Sequence, residues 1–318
     1  MPKGRRLDPT ILREYDIRGI VPDTLSAADA DAIGRAFGTV LREVGGRTAA
    51  VGYDGRLSSP ALEAALVTGL RRAGVDVTRV GRGPTPMLYF AAATLPADSG
   101  LMITGSHNPP DYNGIKMVLK GKPFFAGDIR KLGERAAKGD FAEGDGKVTE
   151  KSVLEDYVAR LLKDFRPGAR PATIAWDAGN GAAGEALRLL VKGLPGRHVL
   201  LNDEIDGRFP AHHPDPTVEK NLAQLKQAVA REKCDLGIAF DGDGDRVGVV
   251  DGLGRVLWGD QILIILAAEV LKAEPGATVI ADVKTSQAFF DEIRRMGGKP
   301  VMWKAGHSHI KNKMAETG

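Results

Sequence analysis

The sequence predicts an α/β protein of three similar units, the third unfinished, and three observations carry that expectation. A strand, helix, strand pattern recurs three times along the chain. The first two copies proceed to a further strand that ends in a chemically loaded loop, and the third does not. At 318 residues, 43% of them hydrophobic, the chain is too long for one ordinary domain and has ample apolar material for several cores.

Each copy opens with an apolar strand ending in an acid: Thr48 to Asp54, Thr173 to Asp177 and Thr278 to Asp282. Amphipathic helical patterns follow, from Ser59 to Ala73, Gly181 to Leu190 and Ser286 to Met296. A second strand and loop come next, at Val75 to Pro84, His198 to Asp206 and Pro300 to Gly306, completing the order of a layered α/β unit. Leu101 to Ser106 and Leu236 to Asp245 are the strands that carry the chemistry. Projecting either spacing from Asp282 lands beyond residue 318, and Met314 to Gly318 reads as a helix cut at its C-cap, so a truncated chain is expected. The polar, glycine-rich stretch Gly139 to Lys151, the amphipathic segment Ser152 to Phe165 and the hairpin turn Asp251 to Arg255 divide the chain into units at 1–151, 152–253 and 254–318.

Composition excludes more than it identifies. A net charge of +3, with basic residues scattered among acidic ones, leaves no nucleic-acid footprint. Cys234 is the only cysteine and adjoins an apolar strand, so it reads as a buried structural thiol. The basic N-terminus leads into no apolar run, and no stretch has the length to span a bilayer; a cytoplasmic protein with no membrane partner is the expectation. His212-His213 suggests zinc, but no cysteine or further histidine is nearby, and a structural loop at a domain junction is the better reading.

Two short runs decide the chemistry: Thr104-Gly105-Ser106-His107-Asn108-Pro109-Pro110 and Asp241-Gly242-Asp243-Gly244-Asp245-Arg246. Glycine-spaced carboxylates at a strand end can turn their oxygens onto one hard cation, Mg²⁺ or Ca²⁺. An EF-hand needs a glutamate at the twelfth loop position, where this chain has Gly252, and helical flanks, where Leu236 to Phe240 and Val247 to Val250 read as strands. A solvated acidic turn is a second reading. A third is a strand ending in an aspartyl nucleophile, as in haloacid-dehalogenase-type phosphatases, although that motif continues into Thr or Val where Asp245 stands. Ser106 in isolation reads as a turn serine, and no Gly-x-Ser-x-Gly elbow surrounds it.

Taken together the two runs are more specific. Thr104 to Lys116, with Asp111-Tyr112-Asn113-Gly114-Ile115 following the prolines, resembles the active-serine loop of the α-D-phosphohexomutases, and Asp241 to Arg246 resembles their metal loop. Glu14-Tyr15-Asp16-Ile17-Arg18-Gly19 is similar to that family's N-terminal signature, Gly83-Pro84-Thr85-Pro86 to its crossover loop, and Trp303-Lys304-Ala305-Gly306-His307-Ser308 to its third-domain substrate loop. Within the family, the bacterial phosphomannomutase/phosphoglucomutase type is the most similar.

The resemblance implies a fold of three α/β/α layered domains with mixed sheets, the third incomplete, and lacking the end of domain 3 and all of domain 4. It implies a mutase interconverting hexose 6-phosphate and hexose 1-phosphate, of mannose or glucose, through a hexose bisphosphate. Ser106 would be the phosphoserine, with Asp241, Asp243 and Asp245 holding Mg²⁺ against it. Arg18, Arg246 and Lys116 match catalytic positions near the phosphoserine, with His107 beside it, and Lys116 is expected to have a pKa drawn toward neutrality as a general acid or base. Tyr15, Lys284 and His307 match substrate-binding positions. Two alternatives stay open: a fragment that binds without turnover, and a Mg²⁺-dependent sugar phosphatase acting through Asp241.

Overall fold

The computed structural model describes residues 4–317. The first unit runs β1 (Ile17–Ile20), α1 (Ala27–Glu43), β2 (Thr48–Tyr53), α2 (Ser59–Arg72), β3 (Asp76–Arg82), α3 (Thr85–Thr94), β4 (Ser99–Ile103), β5 (Tyr112–Leu119), β6 (Lys122–Pro123), α4 (Gly127–Lys138) and β7 (Val148–Glu150). Its sheet has the order β1-β5-β4-β2-β3-β7, with β6 paired to β5. The β2 strand is parallel to β3 and β4, whereas β5 is antiparallel to β4 and β1, so the sheet is mixed. Both faces are covered, and the alternation of strand side chains shows it. Val51, Leu101 and Ile103 point into a core with Ile33 and Phe37 of α1 and Leu66 and Leu70 of α2. Their neighbours Ala50 and Met102 point the other way, against Met87, Leu88 and Ala91 of α3. A reciprocal capping box between Ser26 and Asp29 starts α1.

The second unit comprises α5 (Leu154–Lys163), β8 (Ala172–Asp177), α6 (Gly184–Lys192), β9 (Gly196–Leu201), α7 (Ala223–Glu232), β10 (Leu236–Phe240), β11 (Val247–Asp251) and β12 (Val256–Leu257), in the strand order β12-β11-β10-β8-β9. The β8 strand pairs in parallel with β9 and β10, and β10 pairs antiparallel with β11 across the acidic loop. Leu225 and Val229 of α7 pack on Ala175, Ala239 and Val250. Cys234 is buried in the same cluster without a disulfide, as its sequence context suggests. The β12 strand pairs back onto β11, so the second sheet continues to Leu257, past the hairpin turn at which the sequence divides the units. The α6 helix begins at Gly184 rather than Gly181, because the Ala182 amide is donated at 2.9 Å to the carbonyl of Gly242 instead of entering a helix.

The third unit holds α8 (Gly259–Ala273), β13 (Thr278–Asp282), α9 (Gln287–Arg295), β14 (Lys299–Trp303) and α10 (His307–Thr317), with the two strands forming a parallel pair. Phe289, Phe290 and Ile293 of α9 close its core against Leu271 and Ala281. Among the described residues, no helix is long and apolar enough to cross a membrane.

The fold brings the carboxyl ends of β4, β10 and β13 toward one another, the region where open α/β sheets place their ligands. Ser106 follows β4, Asp241 follows β10, and Asp282 ends β13.

Candidate active site

Ser106 sits at φ 50°, in the left-handed region that a non-glycine residue adopts only under constraint. Its amide donates to Thr104 Oγ1 at 2.8 Å, which turns the loop directly after β4. Its hydroxyl donates to Asp241 Oδ2 at 2.9 Å and lies 3.3 Å from His107 Nδ1. The serine loop and the acidic loop are therefore in contact, and Gly242 shows how closely. A Cβ at that position would lie 2.4 Å from the Ser106 carbonyl oxygen.

Asp241 and Asp243 are fully buried, and Asp245 lies at the mouth. One oxygen from each of the three lies within 4.8 Å of the others. Burial, reinforced by the charges of Asp243 and Asp245, pushes the Asp241 carboxyl well above the usual carboxylate range. Its Oδ1 accepts the amides of Asp245 and Arg246, each at 3.0 Å, so that loop closes on its own first residue. Asp243 Oδ1 is buried without a hydrogen-bond partner. A crowded, oxygen-only donor set with an orphaned buried carboxylate oxygen fits a hard divalent cation.

Lys116, on β5, donates from Nζ to Asp243 Oδ2 and Asp245 Oδ2, each at 2.6 Å. The expectation of a pKa drawn toward neutrality is corrected here. Burial pulls it down, but Asp243 and Asp245 more than offset that and hold it above the ordinary lysine value. In this arrangement Lys116 is an ammonium, the counter-ion of the acidic loop.

The remaining cations and the polar groups gather in a cleft of about 620 Å³ lined by Tyr15, Arg18, Ser106, His107, Lys116 and Arg246 from the first two units and by Lys284 and Gly306 from the third. Arg18, 7% exposed, donates through Nη1 to the Gly105 carbonyl at 2.9 Å and Asn108 Oδ1 at 3.1 Å, and pairs through Nη2 with Asp16. Arg246 is more open, with Nε 4.0 Å from Asp241 Oδ2. Burial and then the Arg246 charge lower the His107 pKa to about 4, so its imidazole is neutral at physiological pH and a weak base. Tyr15 donates its hydroxyl to the Ala305 carbonyl at 3.0 Å, tying the first unit to the third. Lys284 is exposed on the cleft wall. His307 opens α10, but its side chain lies outside the described residues. His212, away from the cleft, donates or accepts at 2.9 Å with buried Asp177, a structural contact rather than a zinc site.

One contributor was missed by reading motifs for chemistry. Thr85, fully buried at the start of α3, donates its amide to the Asp243 carbonyl at 2.8 Å and its hydroxyl to Asp243 Oδ2. The crossover segment Gly83 to Pro86 was visible in the sequence; its grip on the acidic loop was not.

Known proteins share this fold. Models of the three α/β/α domains I, II and III of phosphoglucomutase/phosphomannomutase match residues 9–143, 155–254 and 258–318. A phosphomannomutase/phosphoglucomutase from Pseudomonas aeruginosa is 46% identical over 316 residues, which are 99% of this chain and 68% of that protein. A phosphoglucomutase from Neisseria gonorrhoeae is 44% identical over 97% of this chain and 67% of its own length. A crystal structure of a phosphoglucomutase/phosphomannomutase family protein from Burkholderia thailandensis superposes with a TM-score of 0.95 at 45% identity, covering 98% of this chain and 70% of that one.

Proposed function

The chain belongs to the phosphoglucomutase/phosphomannomutase family, and from that premise we propose that it is an isomerase interconverting the 6-phosphate and 1-phosphate of mannose and glucose, with Ser106 as the phosphate carrier. The observation that carries the reading is the Ser106 hydroxyl held at 2.9 Å on a cluster of three aspartates, two of them buried, inside a cleft walled by cations.

The reaction is two phosphoryl transfers that move different groups, one from Ser106 to the sugar and then the sugar's original phosphate to Ser106. In the first, the bond from phosphorus to Ser106 Oγ breaks as a sugar hydroxyl forms a new one, giving a hexose bisphosphate. The bisphosphate turns over in the cleft, and its other phosphate returns to Ser106. Asp241, Asp243 and Asp245 are the residues that would hold a Mg²⁺, which supplies Lewis-acid polarisation of the phosphoryl group when bound. Arg18 and Arg246 offset the charge that builds on the transferring group. Lys116, held as an ammonium by its aspartate partners, would add positive charge beside the transferring group. Tyr15 and Lys284, on the wall shared by the first and third units, would receive the far end of a sugar phosphate, and His307, at the start of α10, would join them.

The rival reading, hydrolysis through an Asp241 nucleophile, finds little support in the geometry. Asp241 is fully buried, its Oδ1 is engaged by two amides, and its Oδ2 accepts the Ser106 hydroxyl. The test is to supply mannose 1-phosphate, Mg²⁺ and a trace of hexose 1,6-bisphosphate and to follow mannose 6-phosphate alongside free phosphate. Isomer without free phosphate, abolished by Ser106→Ala, is the expected result. Free phosphate without isomer would sink the reading in favour of a phosphatase, and no turnover of either kind would leave a binding protein.

A further inference from the structure

Arg56 is the bulkiest of the fully buried side chains. A buried guanidinium is costly unless it is paired and its N–H fork is satisfied. Asp54 supplies the counter-charge, 3.3 Å from Nε. The fork itself goes to main-chain oxygens, all between Ser106 and Tyr112 at the start of β5. Its Nη2 donates to the carbonyls of Ser106 at 2.9 Å and Asn108 at 2.7 Å, and its Nη1 to those of Tyr112 at 2.9 Å and Pro109.

The loop is gripped from both sides. Asp54 Oδ2 accepts the Gly105 amide at 3.2 Å, while Oδ1 accepts the Arg56 amide at 3.0 Å and the Ser59 hydroxyl at 2.6 Å. Gly105 is a glycine because a Cβ there would stand 2.3 Å from Arg56 Nε. The ring of Phe209, from the second unit, lies over the guanidinium 5.1 Å away. Arg56, Asp54 and Phe209 do not line the cleft themselves and reach it only through the loop that carries Ser106 and Asn108.

We propose that Arg56 is the positioning residue of the serine loop. By gathering the Ser106, Asn108, Pro109 and Tyr112 carbonyls it holds Ser106 in its left-handed conformation with the hydroxyl aimed at Asp241, and Phe209 couples that hold to the docking of the second unit. The inference rests on the reading of Ser106 as phosphate carrier. A lysine at 56 keeps the charge but presents a point ammonium that cannot span the carbonyls a planar fork spans. The loop then relaxes, the nucleophile drifts, and a displacement of about 1 Å is enough to cost on the order of a hundredfold in rate.

The test is the rate at which the purified chain, with Mg²⁺, takes phosphate from hexose 1,6-bisphosphate onto Ser106, followed by intact mass and peptide mapping. Arg56→Lys is expected to label about a hundredfold more slowly while its Mg²⁺ affinity by calorimetry stays within about threefold of the parent, because the acidic loop is untouched. Phe209→Leu, which keeps an apolar cover and folds even where Arg56→Lys does not, is expected to label several-fold more slowly with Mg²⁺ affinity again unchanged. Labelling at the parental rate in either folded variant overturns the inference. So does a matching loss of Mg²⁺ affinity, which would mark a general structural role. Failure of the parent chain to label Ser106 at all would instead overturn the carrier reading, so the two failures are distinguishable.

Discussion

Replacing Asp243 with asparagine tests the metal assignment with almost no change of shape. Asp243 is fully buried, its Oδ2 takes Lys116 Nζ at 2.6 Å and the Thr85 hydroxyl, and its Oδ1 is free of partners. At an effective dielectric of about 20, unit charges about 4 Å apart interact by about 4 kcal/mol, and a divalent cation doubles that. Most of the gain is taken back, because the carboxylate must be desolvated and the Lys116 ammonium must give up the same oxygen. A net loss of roughly 3 kcal/mol remains on substitution, which is about a hundredfold weaker Mg²⁺ binding. Isothermal calorimetry with magnesium chloride at neutral pH reads it directly, with thermal melting to show that the variant is folded. Mg²⁺ affinity within about threefold of the parent in a folded Asp243→Asn chain would refute the three-aspartate site.

Variants at three other positions follow from named contacts. Gly242→Ala places a methyl group 2.4 Å from the Ser106 carbonyl oxygen, forcing the two loops apart; about 1–3 kcal/mol of stability and most of the mannose 1-phosphate conversion should be lost, measurable by denaturant melts and the coupled assay. Thr85→Val removes the hydroxyl donated to Asp243 Oδ2 and should cost about 1–3 kcal/mol, with Thr85→Ser restoring it, whereas an unchanged melt would show that the contact is idle. His212 is pulled down by burial but raised further by Asp177, so its folded pKa lies above the unfolded one. Its stabilisation is complete below about pH 6.5 and fades as the pH rises through that raised value, so the melting gap between parent and His212→Asn should narrow toward alkaline pH; a gap independent of pH would contradict the ion pair.

What was legible in the sequence was chemistry concentrated in short runs. Ser106 and the aspartates stood out because a hydroxyl, three carboxylates and their glycines are contiguous, and the strand and helix patterns around them were strongly periodic. The three sheets came out as the strand and helix pattern suggested, and the serine and acidic loops, whose shared site only the family resemblance implied, lie in contact. Arg56 and Thr85 were not legible as contributors, since their partners are main-chain carbonyls and a carboxylate far along the chain. Composition alone does not distinguish a buried arginine serving a loop from a solvated one. The charge state of Lys116 was misjudged for the same reason, because it depends on which neighbours the fold supplies, and those are Asp243 and Asp245 rather than cations. The late start of α6 likewise depends on a tertiary hydrogen bond, from the Ala182 amide to the Gly242 carbonyl.

The central claim is that Ser106 carries the phosphate against the aspartate cluster. Its most direct test is to incubate the purified chain with Mg²⁺ and hexose 1,6-bisphosphate, then map the modified residue by mass spectrometry of its peptides. Phosphate on Ser106, absent without Mg²⁺, is the predicted result. Phosphate on Asp241, or on no residue of either loop, would contradict it.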